Sequence, residues 1–132
     1  AVNLMQYIPD LDGMIVVTVP SGVSQTVARR AGLMAMEGGV KVVGIIENMS
    51  GYMCSHCKEI NYPMLVGGGE QLAKELEVPF LGRIPLDPRV SGSTDVGAPY
   101  VYEYPESPIA KAIFSIVENI EKSIVENIKK SV

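Results

Sequence analysis

The chain has 132 residues, 47% of them hydrophobic but only 6% aromatic, which fits one domain with the aliphatic core typical of a helix-covered sheet. Its net charge of −4 and its scattered basic residues argue against a nucleic-acid partner. We find no apolar run near the ~18 residues of a membrane span and no secretory leader, so we predict a cytoplasmic protein with no membrane partner.

The first half of the chain predicts a β-α-β unit. The β-branched, apolar run over 14–19 is typical of a strand, and the run over 41–46 is typical of a buried parallel strand. Between them, a helix is predicted from Ser24 as the N-cap to Met36, where a Gly-Gly pair follows. Its buried stripe is predicted at Val27, Ala28, Ala31, Met34 and Ala35. Strands joined in this way are expected to be parallel, with a right-handed crossover.

The next stretch predicts a second unit of the same kind. A loop over 48–66 leads through three glycines into a helix over 70–76, and a third strand is predicted over 79–84. Asp87 is a predicted N-cap, with Pro88 at the first helical position. The alternation of strands and helices indicates an α/β, three-layer fold with a parallel sheet.

The end of the chain predicts a long amphipathic helix. After a turn-rich stretch with one extended piece over 100–102, Ser107 and Pro108 begin a helix that runs to about Lys130. Isoleucine and valine recur along it at helical spacing. We assign residues 105–132 to this helix and residues 1–104 to the remainder of the same domain.

Three strands make a thin α/β domain, and its outer strands are exposed edges unless another segment pairs with them. The chain also begins with Ala-Val-Asn rather than with an initiator Met. We therefore expect either a piece of a longer or processed chain, or an obligate oligomer.

Both cysteines of the chain, Cys54 and Cys57, lie in the predicted loop at Cys-x-x-Cys spacing. Two such thiols can face one metal, but a zinc site or a cubane cluster takes about four ligands. We therefore hypothesise that two copies of the loop meet across a two-fold axis and share one metal centre. On spacing alone, four interpretations compete: a shared zinc, a shared iron–sulfur cluster, a redox disulfide and two incidental thiols. No helix start is evident to favour the redox pair, and spacing cannot separate zinc from a cluster.

Other candidate residues carry weaker signals. His56 lies between the cysteines and could be a third ligand, but we interpret it as a solvated loop residue. The glycine-rich segment 67–74 lacks the Gly-Lys-Ser/Thr ending of a phosphate loop, so we reject that function. The amide of Asn48 can read a purine edge, and the segment 84–87 could line the same crevice; a turn and a helix cap are the simpler interpretations.

Several segments together resemble one known family. They are Tyr7-Ile8-Pro9-Asp10-Leu11-Asp12-Gly13, Glu47-Asn48-Met49-Ser50 followed by Cys54-x-x-Cys57, Gly67-Gly68-Gly69-Glu70-x-Leu72-Ala73, Phe80-Leu81-Gly82-x-Ile84-Pro85-Leu86-Asp87 and Asp95-x-Gly97-x-Pro99. In this order, over about residues 4–120, they resemble the Mrp/ApbC family of iron–sulfur cluster carrier ATPases, which belong to the MinD-like, deviant Walker P-loop class.

The resemblance implies that residues 1–104 are the C-terminal half of a P-loop NTPase-like domain. It implies a homodimer or heterodimer that holds a [4Fe-4S] cluster at its interface, with Cys54 and Cys57 of each subunit as the ligands. The cluster would pass to apo iron–sulfur proteins under the control of ATP and Mg²⁺ in the full-length parent. It also implies that Asn48 contacts the adenine and that the segment from Pro85 to Asp87 flanks it.

The family's Walker A lysine loop and its switch segments are absent from this sequence. We therefore predict no ATP hydrolysis by this chain alone. Gly51 and Ser55 differ from the family pattern, which leads us to expect a more flexible loop. Two other functions are compatible with the sequence: a non-enzymatic, zinc- or thiol-dependent dimerisation module, and a regulator that binds a nucleotide weakly without hydrolysing it.

Overall fold

The sheet is built around one long central strand. A computed structural model describes residues 7–8, 11–54, 56–62 and 66–130, with the side chains of 127–130 excluded. The described strands are β1 (Met14–Thr18), β2 (Val42–Met53), β3 (Ile60–Asn61) and β4 (Phe80–Leu86). The described helices are α1 (Gly22–Glu37), α2 (Gly68–Glu75), α3 (Pro88–Asp95), α4 (Tyr100–Glu103) and α5 (Pro108–Lys130).

Strand β2 has a parallel neighbour on each side. On one side it pairs with β1, and on the other side it pairs with β4 along most of its length. Beyond the end of β1, the short strand β3 pairs with β2 in the antiparallel direction, with Tyr52 opposite Asn61. The predicted α/β fold with a parallel sheet is confirmed, and β3 adds one antiparallel strand that the sequence did not reveal.

The two faces of the sheet carry separate apolar clusters. Ile45 of β2 points toward α1 and α2, whereas its neighbour Ile46 packs against Ile116 of α5. The first cluster also contains Val16, Ala28, Ala35, Val42, Leu72, Ala73 and Leu76. Alternation along β2 thus produces the three layers, because successive side chains of a strand point to opposite faces. Within the described ranges, no helix has both the length and the apolar character needed to cross a membrane.

The prediction that the second strand ends at residue 46 is wrong. Strand β2 continues to Met53, so the predicted loop over 48–66 begins as regular strand. The polar residues Glu47, Asn48 and Ser50 resemble a loop in sequence, yet Glu47 and Ser50 are 0% and 1% exposed. The strand continues because β2 pairs first with β4 and then also with β3. A bulge between Asn48 and Tyr52 accommodates the shift in register between β2 and β4.

Several boundaries also differ from the prediction. Helix α1 begins at Gly22, with Ser21 as the N-cap residue, rather than after Ser24. The Ser24 hydroxyl lies 3.2 Å from the Thr18 hydroxyl and accepts a hydrogen bond from Val19 N–H, so it contacts the end of β1. Val27, predicted to be buried, is 62% exposed. The stretch 100–102 lies in helix α4 and is not extended.

Both predicted helix caps of the second half are confirmed. Asp87 accepts a hydrogen bond from the backbone of Arg89, and Pro88 occupies the first turn of α3. The Ser107 hydroxyl accepts one from Ala110 N–H at 3.1 Å, at the start of α5. Each cap provides an acceptor for an N–H group that a helix leaves unpaired in its first turn.

Strand β1 leaves apolar surface uncovered. Among the described residues it pairs with β2 alone, and its side chains Ile15 and Val17 are 37% and 56% exposed on the face that α5 covers farther along the sheet. This arrangement agrees with the expectation of an open sheet edge.

Gly44 tests the packing of the central strand. A Cβ at this position would lie 2.6 Å from both the Pro79 carbonyl oxygen and Leu81 Cγ. We expect Gly44→Ala to lower the free energy of unfolding by about 1–3 kcal/mol, because the backbone of the adjacent strand cannot yield easily. Urea denaturation measures this change.

Gly92→Ala is the matched control. Gly92 lies inside α3 with no atom near its missing Cβ, so alanine should stabilise the helix by up to about 1 kcal/mol. Equal effects of the two substitutions would contradict the register of β2 against β4.

Candidate functional site

The predicted nucleotide-contact residues lie at one edge of the sheet, where the regular parallel pairing of β2 with β1 and β4 stops. Asn48 of β2 is the register partner of Ile84, which precedes Pro85 on β4, so the structure places Asn48 and Pro85 on neighbouring strands. The side-chain oxygen of Asn48 accepts a hydrogen bond from Met49 N–H at 2.9 Å. Ligands of open α/β sheets bind at this edge, which is the location that the predicted adenine contact requires.

Asp87 follows directly after β4 and is 5% exposed. Its carboxylate accepts hydrogen bonds from the Arg89 guanidinium, at 2.6 Å for Nη2, and from the Tyr100 hydroxyl at 3.0 Å. Burial alone would raise the pKa of Asp87, but the hydrogen bonds from Arg89 and Tyr100 lower the pKa below its usual value. The carboxylate is therefore ionised and engaged within the chain, and a nucleotide contact by Asp87 stays a prediction.

The two cysteines lie on the turn that joins β2 to β3. Cys54 N–H donates to the Glu59 carbonyl at 2.9 Å, and Lys58 N–H donates to the Cys54 carbonyl at 3.0 Å. Cys54 is half-buried and Cys57 is exposed, and both are free thiols. The backbone N–H of Cys57, followed by that of His56, lowers the pKa of the Cys54 thiol, which favours the thiolate that binds metals.

The cysteine turn lies next to the Asp87 turn. A cavity of about 140 Å³ separates them, lined by Met53 and Lys58 on one side and by Asp87, Pro88 and Arg89 on the other. The structure therefore brings the predicted metal ligands close to the end of β4, although sequence separates the two sites by about 30 residues.

The ligand set of one chain is incomplete. Among the described residues, no group of three or more His, Cys, Asp and Glu side chains could hold a metal ion. Two thiols supply half of the four ligands that a cubane cluster or a structural zinc takes.

Sequence reasoning missed a buried carboxylate at the base of this region. Glu47 accepts hydrogen bonds from the Ser50 hydroxyl and from Gly69 N–H, both at 2.6 Å, and Arg83 Nε lies 3.4 Å from the same carboxylate. Gly67 N–H also donates to it at 3.4 Å. The sequence offered only a glutamate directly after an apolar run, and its register partner on β4, Arg83, is evident only from the fold.

The Glu47 contacts explain why the Gly67–Gly69 segment is no phosphate loop. Backbone N–H groups at a helix N-terminus attract anions, but here two of them already donate to the Glu47 carboxylate. The sequence-based rejection of this segment as a P-loop therefore has a structural cause.

A family model described as the ParA-type NUBPL iron-transfer P-loop NTPase matches residues 1–121. The chain belongs to this family. The resemblance to cluster carrier ATPases that the sequence motifs indicated is thereby confirmed.

Similar proteins of this iron-transfer NTPase family include cytosolic Fe-S cluster assembly factors. The chain is 42% identical over 108 residues to the cytosolic Fe-S cluster assembly factor NUBP2 of Bos taurus, and 44% identical over 108 residues to that of Gallus gallus. Each match covers 82% of this chain and 40% of the relative. The chain thus spans about two-fifths of the length of these relatives.

Solved structures confirm the P-loop NTPase-like fold. The cell division ATPase MinD of Pyrococcus furiosus is 29% identical, with a TM-score of 0.63, and the match covers 84% of this chain and 43% of MinD. A nucleotide-binding protein of Archaeoglobus fulgidus, solved in complex with ADP, is 30% identical with a TM-score of 0.64; that match covers 79% and 42%.

The buried Glu47 carboxylate predicts a specific acid sensitivity of this chain. Burial alone would raise the pKa of Glu47, but the hydrogen bonds from Ser50, Gly69 and Gly67, with the Arg83 charge, lower the pKa below its ordinary value of 4.5. A lowered pKa stabilises the fold above pH 4.5, and that contribution is lost as the pH falls through the folded-state value. Glu47→Gln should therefore unfold more easily at pH 7, by roughly 1–3 kcal/mol, and lose less stability on acidification.

Urea denaturation between pH 3 and 7 measures this difference. Glu75→Gln is the matched control, since the contacts of Glu75 are exposed: an ion pair with Arg29 at 3.6 Å and a hydrogen bond from Gln71 Nε2 at 3.2 Å. This variant should keep the wild-type pH profile. A Glu47→Gln profile that runs parallel to that of the wild type would contradict the assignment.

Proposed function

We propose that this chain is the cluster-carrying part of a cytosolic iron–sulfur cluster assembly factor. The observation that carries the proposal is the pair of free thiols, Cys54 and Cys57, on one tight turn. Membership of the iron-transfer NTPase family supports the identity of the cargo, and the names of the NUBP2 relatives support the compartment. The cargo is a [4Fe-4S] cluster, and each of two chains contributes Cys54 and Cys57 as ligands.

The chemistry of the turn suits binding and release of a cluster. The backbone N–H groups of Cys57 and His56 stabilise negative charge on Cys54 and lower the pKa of its thiol, which favours the thiolate that binds iron. The exposed position of Cys57 lets a thiol of a recipient protein approach the bound iron. Apo iron–sulfur proteins are therefore the recipients that this site fits, and a homodimer or heterodimer through the Cys-x-x-Cys turn is its bound state.

We further propose that a nucleotide controls this site in the whole protein. Asn48 lies where the regular parallel pairing of β2 with β4 stops, and Pro85 and Asp87 lie at the end of β4. The adenine of ATP would bind at this edge of the sheet. The Asp87 turn shares a cavity with the cysteine turn, which provides a route from nucleotide to cluster. The sequence contains no Gly-Lys-Ser/Thr loop, so the phosphates and Mg²⁺ would be held by a segment outside it.

Zinc is the alternative cargo because a Cys-x-x-Cys turn can supply two of the four thiolates of a structural zinc site. In that case the chain would be a dimerisation module. The experiment on the cysteines separates these two functions.

Anaerobic reconstitution with iron and sulfide tests the proposal. The wild-type chain should develop the broad visible absorption of a thiolate-bound cluster and then lose it to an apo iron–sulfur acceptor. Cys54→Ser and Cys57→Ser should each lose most of this absorption, because every variant dimer lacks two of the four thiolates.

His56→Ala is the matched control, since His56 lies between the ligands on the exposed turn and should keep the wild-type cluster content. A colourless wild-type protein that retains one zinc ion per two chains through the same cysteines would favour the dimerisation module instead.

A further inference from the structure

The two ends of the cysteine-bearing segment, at Ser50 and at Gly67–Gly69, both donate hydrogen bonds to the Glu47 carboxylate. On the outgoing side, the Ser50 hydroxyl donates to Glu47 Oε1 at 2.6 Å. On the returning side, Gly69 N–H donates to Oε2 at 2.6 Å and Gly67 N–H approaches Oε1 at 3.4 Å. Glu47 thus joins two chain positions about 20 residues apart, one before and one after the cysteine turn.

The carboxylate is itself held rigidly. The Glu47 side chain is fully buried. Its register partner on β4 is Arg83, whose Nε lies 3.4 Å from Glu47 Oε1. Arg83 is fixed in turn by Glu70, at 2.8 Å from Nη2, and by the Phe80 ring, whose centre lies 4.9 Å from the guanidinium carbon. A Cβ on Gly69 would lie 2.8 Å from Glu47 Cβ, so this close approach also requires glycine.

The backbone between Glu47 and Cys54 needs this support. Met49 has a φ of 55° and Gly51 a φ of 86°, and both lie in the bulge where β2 shifts its register against β4. A positive φ is unfavourable for methionine, so the surrounding contacts must hold it in place. Ser50 lies between these two residues, and its hydrogen bond to Glu47 therefore fixes the bulge that directs the strand toward Cys54.

We propose that Glu47 is a positioning residue that closes the base of the cysteine-bearing segment, through Ser50 on one side and Gly69 on the other, and thereby sets how Cys54 and Cys57 are presented to the cluster. The proposal rests on the proposed function for its consequence, but its structural part can be tested without a cluster. When the hydrogen bonds of Glu47 to Ser50 and Gly69 break, the cysteine turn loses the fixed geometry in which its two thiols face one cluster.

Ser50→Ala is the test variant because it removes one donor and leaves the ion pair of Glu47 with Arg83 in place. We expect exchange of the Cys54 and Lys58 amides, which close the cysteine turn, to become roughly tenfold faster in the cluster-free chain. We also expect the loaded variant to lose iron to a chelator several times faster than the wild type.

Ile116→Val is the matched control for stability. Ile116 is buried against Ile46 and Leu81 on the opposite face of the sheet, so its truncation lowers the melting temperature without touching the cysteine segment. If Ile116→Val melts at a temperature similar to that of Ser50→Ala, it should still show the wild-type amide exchange of the cysteine turn and the wild-type rate of iron loss.

The outcomes separate this proposal from the proposed function. Wild-type exchange rates in Ser50→Ala, or the same acceleration in Ile116→Val, would overturn the positioning role. Faster exchange together with an unchanged rate of iron loss would overturn the link to the cluster. If the wild-type chain takes up no cluster, the proposed function fails, and the exchange rates still decide whether Glu47 holds the turn.

Discussion

The buried carboxylate of Glu47 is the interaction on which the site depends. A charge inside a sheet is tolerated only when donors and opposite charges replace the water that it loses. Here the Ser50 hydroxyl in the bulge of β2 and the Gly69 N–H at the start of α2 donate hydrogen bonds, and the Arg83 guanidinium of β4 supplies a positive charge 3.4 Å away. Each element is therefore held at a defined distance from the others. This requirement fixes the end of β2, from which the cysteine turn extends.

A second buried carboxylate organises the neighbouring strand in the same way. Asp87 caps α3 and binds Arg89 and Tyr100, so the end of β4, the start of α3 and helix α4 are fixed together. The cysteine turn lies against this second group across a small cavity. Met53 and Lys58, which flank the cysteines, thus meet the Asp87 turn at one edge of the sheet.

Much of the fold follows from local patterns in the sequence. The apolar runs identify β1, the first half of β2 and β4, and the Asp87-Pro88 and Ser107-Pro108 pairs identify two helix starts. These features depend on side chains close to one another along the chain, which is why they can be predicted.

The features that were missed depend on distant partners. Glu47 lies inside a strand because the Gly69 N–H donates to its carboxylate and the Arg83 guanidinium supplies the opposite charge nearby. No residue near Glu47 in sequence indicates these contacts. Strand β3 has only two residues, and α4 has a single turn in which Tyr100 is buried against Ile109. The cysteines were found from their spacing, whereas their proximity to Asp87 required the fold.

We propose that one chain supplies half of a coordination sphere, so that two chains share one cluster. Native mass spectrometry of the anaerobically loaded protein tests it most directly, because the mass gives the number of chains and the inorganic content of the same particle. The account predicts a species of two chains with four iron and four sulfide ions, which separates into single, cluster-free chains when the iron is removed. A single chain that carries a complete cluster, or a dimer that forms without any metal and gains none on loading, would contradict it.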